Sequence, residues 1–272
     1  MTRSQQMPTP EEASRLTMEV ARPLFWTDAR TPWPKRLDGA TCFLLRFDKG
    51  LVGITANHVV RAFEQAERRA GQTVAMLRTA RLDLTGALID RDSDLDLATF
   101  RVTEKQAAES RARVLDCQGT WPPPMPLRGA TITFAGFPED FRQECYPTQT
   151  EFRAASYATT TEDVTDRRIV AIYDPARGDH RLLAAPEFVN VGANWSGCSG
   201  GPVLVHFERD GLHQWHAVGV IVQGPGGDPE GMPNDFDQFV FRRIDFVNTD
   251  GTLKKSAGGW LPGAGHGRIS AA

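Results

Sequence analysis

The chain has 272 residues, 40% of them hydrophobic and 24% charged, which is enough apolar content to build one or two packed domains. A formal net charge of −3, with no basic run and no zinc-finger spacing, leaves no electrostatic footprint for nucleic acid. No stretch approaches the roughly 18 apolar residues that cross a bilayer, and Met1-Thr2-Arg3-Ser4-Gln5-Gln6 lacks the apolar core of a secretory signal, so a cytoplasmic protein with no membrane partner is expected.

In chain order, Thr9 is a helix N-cap, with Pro10 in the first turn and Glu12 three residues after the cap. This predicts a helix over residues 9–21, lying before the first folded unit and packing on its outside. Residues 40–47 and 51–55 read as a hairpin turning at Asp48-Lys49-Gly50, and residues 59–66 as one or two helical turns. Further strands are expected at 72–78, 80–89 and 95–102. Residues 103–128 change character, and Trp121-Pro122-Pro123-Pro124-Met125-Pro126 cannot hold a ladder of backbone hydrogen bonds. They read as a connector. Strand signals resume at 130–135 and recur at 151–159, 168–173, 181–185, 202–207, 215–222 and 238–242, and residues 263–272 read as a frayed tail.

The chemistry concentrates in Gly197-Cys198-Ser199-Gly200-Gly201-Pro202. A serine hydroxyl becomes a useful nucleophile when a base takes its proton and amide donors receive the negative charge on the attacked carbonyl. Gly197 permits a turn in which its own N–H and that of Ser199 converge beside the hydroxyl. The same residues satisfy the G-x-S-x-G elbow of α/β-hydrolases, and His206, His213, His216 and His266 lie downstream, but Pro202 and a β-branched run follow where that fold needs a helix. Upstream, Gly53-Ile54-Thr55-Ala56-Asn57-His58 is an apolar strand running into a histidine, and Asp94-Leu95-Asp96-Leu97-Ala98 is an acidic-to-apolar segment. The order His, Asp, Ser is that of chymotrypsin-type enzymes.

Thr55-Ala56-Asn57-His58-Val59, Asp96-Leu97-Ala98 and Gly197-Cys198-Ser199-Gly200-Gly201-Pro202 together resemble the three signatures of the trypsin-like serine peptidases, across about residues 38 to 245. The Asn57-His58-Val59-Val60 wording is closest to the bacterial high-temperature-requirement branch, without its C-terminal peptide-binding domain. The resemblance implies an all-β fold of two antiparallel six-stranded β-barrels, with a short N-terminal helix and a C-terminal extension. The expected division is a helical extension at 1–37, a first barrel at 38–103 holding His58 and Asp96, a connector at 104–128, a second barrel at 129–245 holding Ser199, and an extension at 246–272. By the same resemblance Ser199 attacks a peptide carbonyl, His58 is the base, Asp96 orients the imidazole, and the amides of Gly197 and Ser199 form the oxyanion hole. The implied activity is serine endopeptidase, acting on a protein or peptide substrate with no cofactor; an inactive binding module of the same fold and an esterase are the rival readings.

Several residues depart from the family pattern or compete for its roles. Asp90, Asp92, Asp94 and Asp96 alternate, so Asp94 is the runner-up acid. The same run resembles a calcium loop but lacks its glycine and has Arg101 where the bidentate glutamate would stand. The four cysteines, Cys42, Cys117, Cys145 and Cys198, form no C-x-x-C pair, which argues against metal ligation. Val59 precludes the disulfide that secreted relatives place beside the histidine. Cys198 occupies the place of the aspartate that captures a new N-terminus in zymogens, so cleavage is not expected to activate the chain, and the turn holds itself or is held by an activating partner. Cys198 is also a rival nucleophile, as in viral relatives. Val222 stands where many relatives support the aspartate with a serine. The substrate pocket is expected to be walled by Ala193, Asn194 and Trp195 and by the edge Val222-Gln223-Gly224. Ala193 replaces the carboxylate that trypsin uses, which favours an apolar or small side chain.

Overall fold

The computed structural model describes residues 9–28, 37–145, 149–174, 179–182, 195–209, 212–225 and 238–255. Helix α1 (Pro10–Val20) begins at a capping box: the Glu12 amide donates to Thr9 Oγ1 at 3.2 Å, and the Thr9 amide donates to Glu12 Oε2 at 2.8 Å. Its buried residues face the second half of the molecule. The helix packs on strands of that half, so the expected packing on the outside of the first barrel is corrected.

The first half is a sheet of β1 (Arg22–Asp28), β2 (Asp38–Phe47), β3 (Gly50–Thr55), β4 (Thr73–Leu77), β5 (Ala80–Leu82), β6 (Leu88–Asp92) and β7 (Leu97–Val102), in the order β5-β4-β1-β2-β3-β7-β6, with β8 (Leu115–Asp116) pairing parallel to β2. Helix α2 (Asn57–Ala70) follows β3, and α4 (Glu104–Glu109) follows β7. This half was expected to be a closed six-stranded barrel. Among the described residues its end strands β5 and β6 do not pair, so it is an open, curled sheet. The stretch expected to be one strand over 80–89 is split at Asp83, whose side chain accepts the Gly86 amide at 2.9 Å and starts a helical turn, α3 (Leu84–Ala87), between β5 and β6.

The second half closes. Strands β9 (Thr131–Gly136), β12 (Ala155–Val164), β13 (Arg168–Ile172), β15 (Pro202–Arg209), β16 (Leu212–Gln223) and β17 (Gln238–Arg243) form the ring β9-β12-β13-β17-β16-β15-β9, sealed by the pairing of β12 with β13. A hairpin of β10 (Arg142–Cys145) and β11 (Gln149–Phe152) stands apart, and β14 (Asp179–Leu182) flanks β12. Phe134, Tyr157, Trp195, Phe239 and Phe241 fill the barrel with tilted and edge-on ring contacts.

Phe43, Leu45, Val52 and Ile54 of the first sheet join Leu204, Ala217 and Val220 of the barrel in one apolar cluster, with Leu16 and Val20 of α1 among its members. The halves are therefore joined by a shared core. Two segments outside the expected barrel boundaries belong to the folded halves structurally. Strand β1 pairs with both β2 and β4, upstream of residue 38. Beyond residue 245, Phe246, Val247 and Leu253 are buried in the shared cluster, and the Leu253 amide donates to Asp90 Oδ2 at 2.9 Å. The tail at 263–272 lies outside the described residues.

Candidate active site

Helix α2 starts at Asn57 with Ala56 as N-cap, a residue that has no side-chain acceptor. Asp96 supplies what is missing from across the sheet. Its backbone carbonyl accepts the Asn57 amide at 3.2 Å, and its carboxylate Oδ1 accepts the His58 amide at 2.9 Å. The other oxygen, Oδ2, lies 2.7 Å from His58 Nδ1. A ring nitrogen against a carboxylate carries the proton, so Nδ1–H donates and Nε2 is left as the acceptor. Asp96 reaches this position with φ of 51°, a left-handed conformation that aspartate tolerates better than most residues.

The remaining acids of the run do other work. Asp92 Oδ1 accepts the Asp94 and Leu95 amides, Asp90 ties down Leu253, and the side chain of Asp94 is exposed. Among the described residues no group of histidines, cysteines and carboxylates is placed to hold a metal ion. No helix there is long and apolar enough to cross a membrane.

Arg242 of β17 braces the aspartate loop from the second half. Its Nε donates to the Leu95 carbonyl at 2.5 Å, and Nη2 donates to the Asp94 carbonyl at 3.4 Å. Burial lowers the pKa of this guanidinium, with the neighbouring Arg167 adding to the effect. Sequence reading gave no sign of this contact.

Ser199 sits in a turn pinned on every side. Four successive carbonyls are occupied: Ser196 by the Glu139 amide at 2.8 Å, Gly197 by Thr41 Oγ1 at 2.8 Å, Cys198 by the Gly201 amide at 2.9 Å, and Ser199 by the Thr41 amide at 2.9 Å. The Cys198 amide donates to Trp195 and the Gly200 amide to Ile221. Among the described residues the amides of Gly197 and Ser199 donate to nothing. Gly197 and Gly200 have φ of 92° and 87°, which explains the glycines at both positions. A side chain at Gly200 would collide with Thr41 and Thr55, so the turn lies directly against the strand end that leads into His58.

His58 and Asp96 are thus brought together, and the serine turn abuts the strand that carries the histidine. The Ser199 hydroxyl makes no hydrogen bond to the ring. Of the downstream histidines of the elbow alternative, His206 makes a tilted contact with Trp215 and His216 an edge-on contact with Phe207, burial lowers the pKa of His216, and the His213 side chain and His266 lie outside what is described. Cys198 is fully buried below Gly136, and burial pushes its thiol well above its ordinary pKa. A buried, protonated thiol is a poor nucleophile, which removes the structural basis for that rival.

Of the expected substrate residues, Ala193 and Asn194 lie outside the described residues. Trp195 is 6% exposed, and its ring packs against Phe134, Tyr173 and Phe239, so its side chain belongs to the barrel core and does not wall a pocket. Val222 packs against the core of the first sheet, where the resemblance would put a serine. On the side of β16 that faces the serine turn, pairing ends at Ile221, and nothing among the described residues pairs there with Val222, Gln223 or Gly224.

No protein-family model and no curated protein matches the chain. Among solved structures it is similar to the protease Anisep from Arthrobacter nicotinovorans, with 12% identity over 83% of this chain and 90% of that chain and a TM-score of 0.44. It is also similar to HBP, with 12% identity over 82% of this chain and 85% of that chain and a TM-score of 0.42. At these scores neither likeness carries the assignment. The class is defined by the chain's own features: an all-β molecule with an open sheet and a closed barrel, and a histidine–aspartate pair beside a serine-bearing turn.

Proposed function

We propose that the chain is a serine endopeptidase of the chymotrypsin-like kind, acting on a protein substrate. The observation that carries this reading is the pairing of a His58–Asp96 couple with a serine turn whose carbonyls from Ser196 to Ser199 are occupied while, among the described residues, the Gly197 and Ser199 amides are left over. In the proposed reaction the Ser199 proton passes to His58 Nε2 as Oγ bonds the substrate carbonyl carbon. The carbonyl electron pair moves to oxygen and is received by the two spare amides, each such donor being worth about 2.7–4 kcal/mol of barrier. Collapse breaks the C–N bond, His58 returns the proton to the leaving amine, and water repeats the sequence on the acyl-enzyme. Substrate backbone adds as a strand along the open edge of Val222, Gln223 and Gly224.

Within that class the Asn57-His58-Val59-Val60 wording supports a place near the high-temperature-requirement branch. The missing hydrogen bond from Ser199 to the ring favours a second reading, a binding module with an idle cleft. A fluorophosphonate probe separates the two: a covalent adduct on Ser199, absent in Ser199→Ala, is expected, and a folded protein that forms no adduct would leave the binding module. Faster turnover of simple esters with no cleavage of any peptide in a library would instead point to an esterase.

A further inference from the structure

We propose that the hydroxyl of Thr41 is the positioning residue that holds the serine turn in its amide-presenting form, an inference that rests on the peptidase reading above. The argument begins with peptide planarity. Within each peptide unit the C=O and N–H point in opposite directions, so fixing one aims the other. The Gly197 amide is aimed by the bond from Glu139 N–H to the Ser196 carbonyl, and the Ser199 amide by the bond from Gly201 N–H to the Cys198 carbonyl. Between them lies the peptide carrying the Gly197 carbonyl, and its acceptor bond comes from a side chain, Thr41 Oγ1, at 2.8 Å.

Thr41 is completely buried, and its hydroxyl has a single proton. The Phe137 amide donates to that oxygen at 3.0 Å, so the proton is committed to Gly197. The same residue's amide donates to the Ser199 carbonyl at 2.9 Å, and Thr55 Oγ1 donates to the Thr41 carbonyl at 2.9 Å. Thr41 lies on β2 in the first sheet, and everything it grips except Thr55 lies in the second half. The turn is therefore organised by docking of the two halves, which leaves no task for an N-terminal ion pair at Cys198. The device is self-contained and calls for no new N-terminus.

Three variants test this in the full chain. Thr41→Val keeps the branched shape and removes the hydroxyl, Thr41→Ala removes it with less crowding, and Thr41→Ser keeps it. Hydrogen exchange of the peptide spanning residues 195–201 is expected to be at least about tenfold faster in the valine variant and parental in the serine variant, with the far strands of both halves unchanged. With a peptide substrate, kcat is expected to fall about 10–100-fold in the valine variant with little change in KM, because the loss is felt by the transition-state oxyanion, and serine is expected to restore it. Should the valine variant fail to fold, the alanine and serine pair gives the same comparison. Parental exchange and turnover in a folded valine or alanine variant would overturn the proposal, as would a serine variant that behaves like valine. A parent chain that never reacts with fluorophosphonate would defeat the peptidase reading alone, because the exchange result still judges Thr41.

Discussion

Asp96 does two jobs with one carboxylate, capping a helix that lacks a cap and orienting the imidazole on that helix's first turn. Substituting asparagine would preserve the shape and remove the charge, but an amide can present its NH2 to Nδ1 and stabilise the wrong tautomer. Asp96→Asn is accordingly expected to lower kcat by about 10³–10⁴-fold with a folded protein and a modest change in KM, read from steady-state kinetics beside a melting curve. Asp94, two residues earlier in the chain but exposed, should tolerate the same change. Legibility at this scale was uneven. The spacing of Thr9 and Glu12 predicted the helix cap, since both partners are local. Thr41 carried no signal, because its partners Phe137 and Gly197 lie 96 and 156 positions away.

Among the elements, the loop between β6 and β7 depends on a strand of the other half. Arg242 spends its fork on backbone carbonyls of that loop and on the Arg167 carbonyl at 3.0 Å. A lysine presents a point charge and cannot satisfy several carbonyls in fixed directions. Both Arg242→Met and Arg242→Lys are expected to cost about 1–3 kcal/mol of stability in urea titrations and to slow turnover about tenfold through a looser Asp96. Most strands were readable from apolar runs between turn residues. Strand β1 was not, because Pro23 near its start and the helix before it both argue for an extension, and its pairing with β4 is visible only in three dimensions. Helix α2 ran longer than expected because Gly71, in the left-handed conformation with φ of 70°, ends it well beyond residue 66.

For the whole molecule, the shared core and the three buried thiols among the described residues bear on stability. Leu16 of α1 belongs to the cluster that joins the halves, and Leu16→Ala is expected to cost about 2–3 kcal/mol in chemical denaturation, near the low end for such truncations because the site lies at the cluster's margin. Burial pushes Cys42 and Cys117 from 9.0 up to about 12, and Cys198 upward as well. Above pH 9 the unfolded chain releases these protons while the native chain retains them, so stability is whole below that pH and declines as pH rises toward about 12. The urea midpoint is expected to fall between pH 8 and pH 10.5, and Cys42→Ala or Cys117→Ala should flatten the slope. The seat of α1 also bears on biosynthesis. The helix leaves the ribosome before the strands it rests on, which start at Thr131, Ala155 and Pro202. At about 5–20 residues per second its greasy side waits on the order of ten to forty seconds for a cover, a window in which a nascent-chain chaperone would find it.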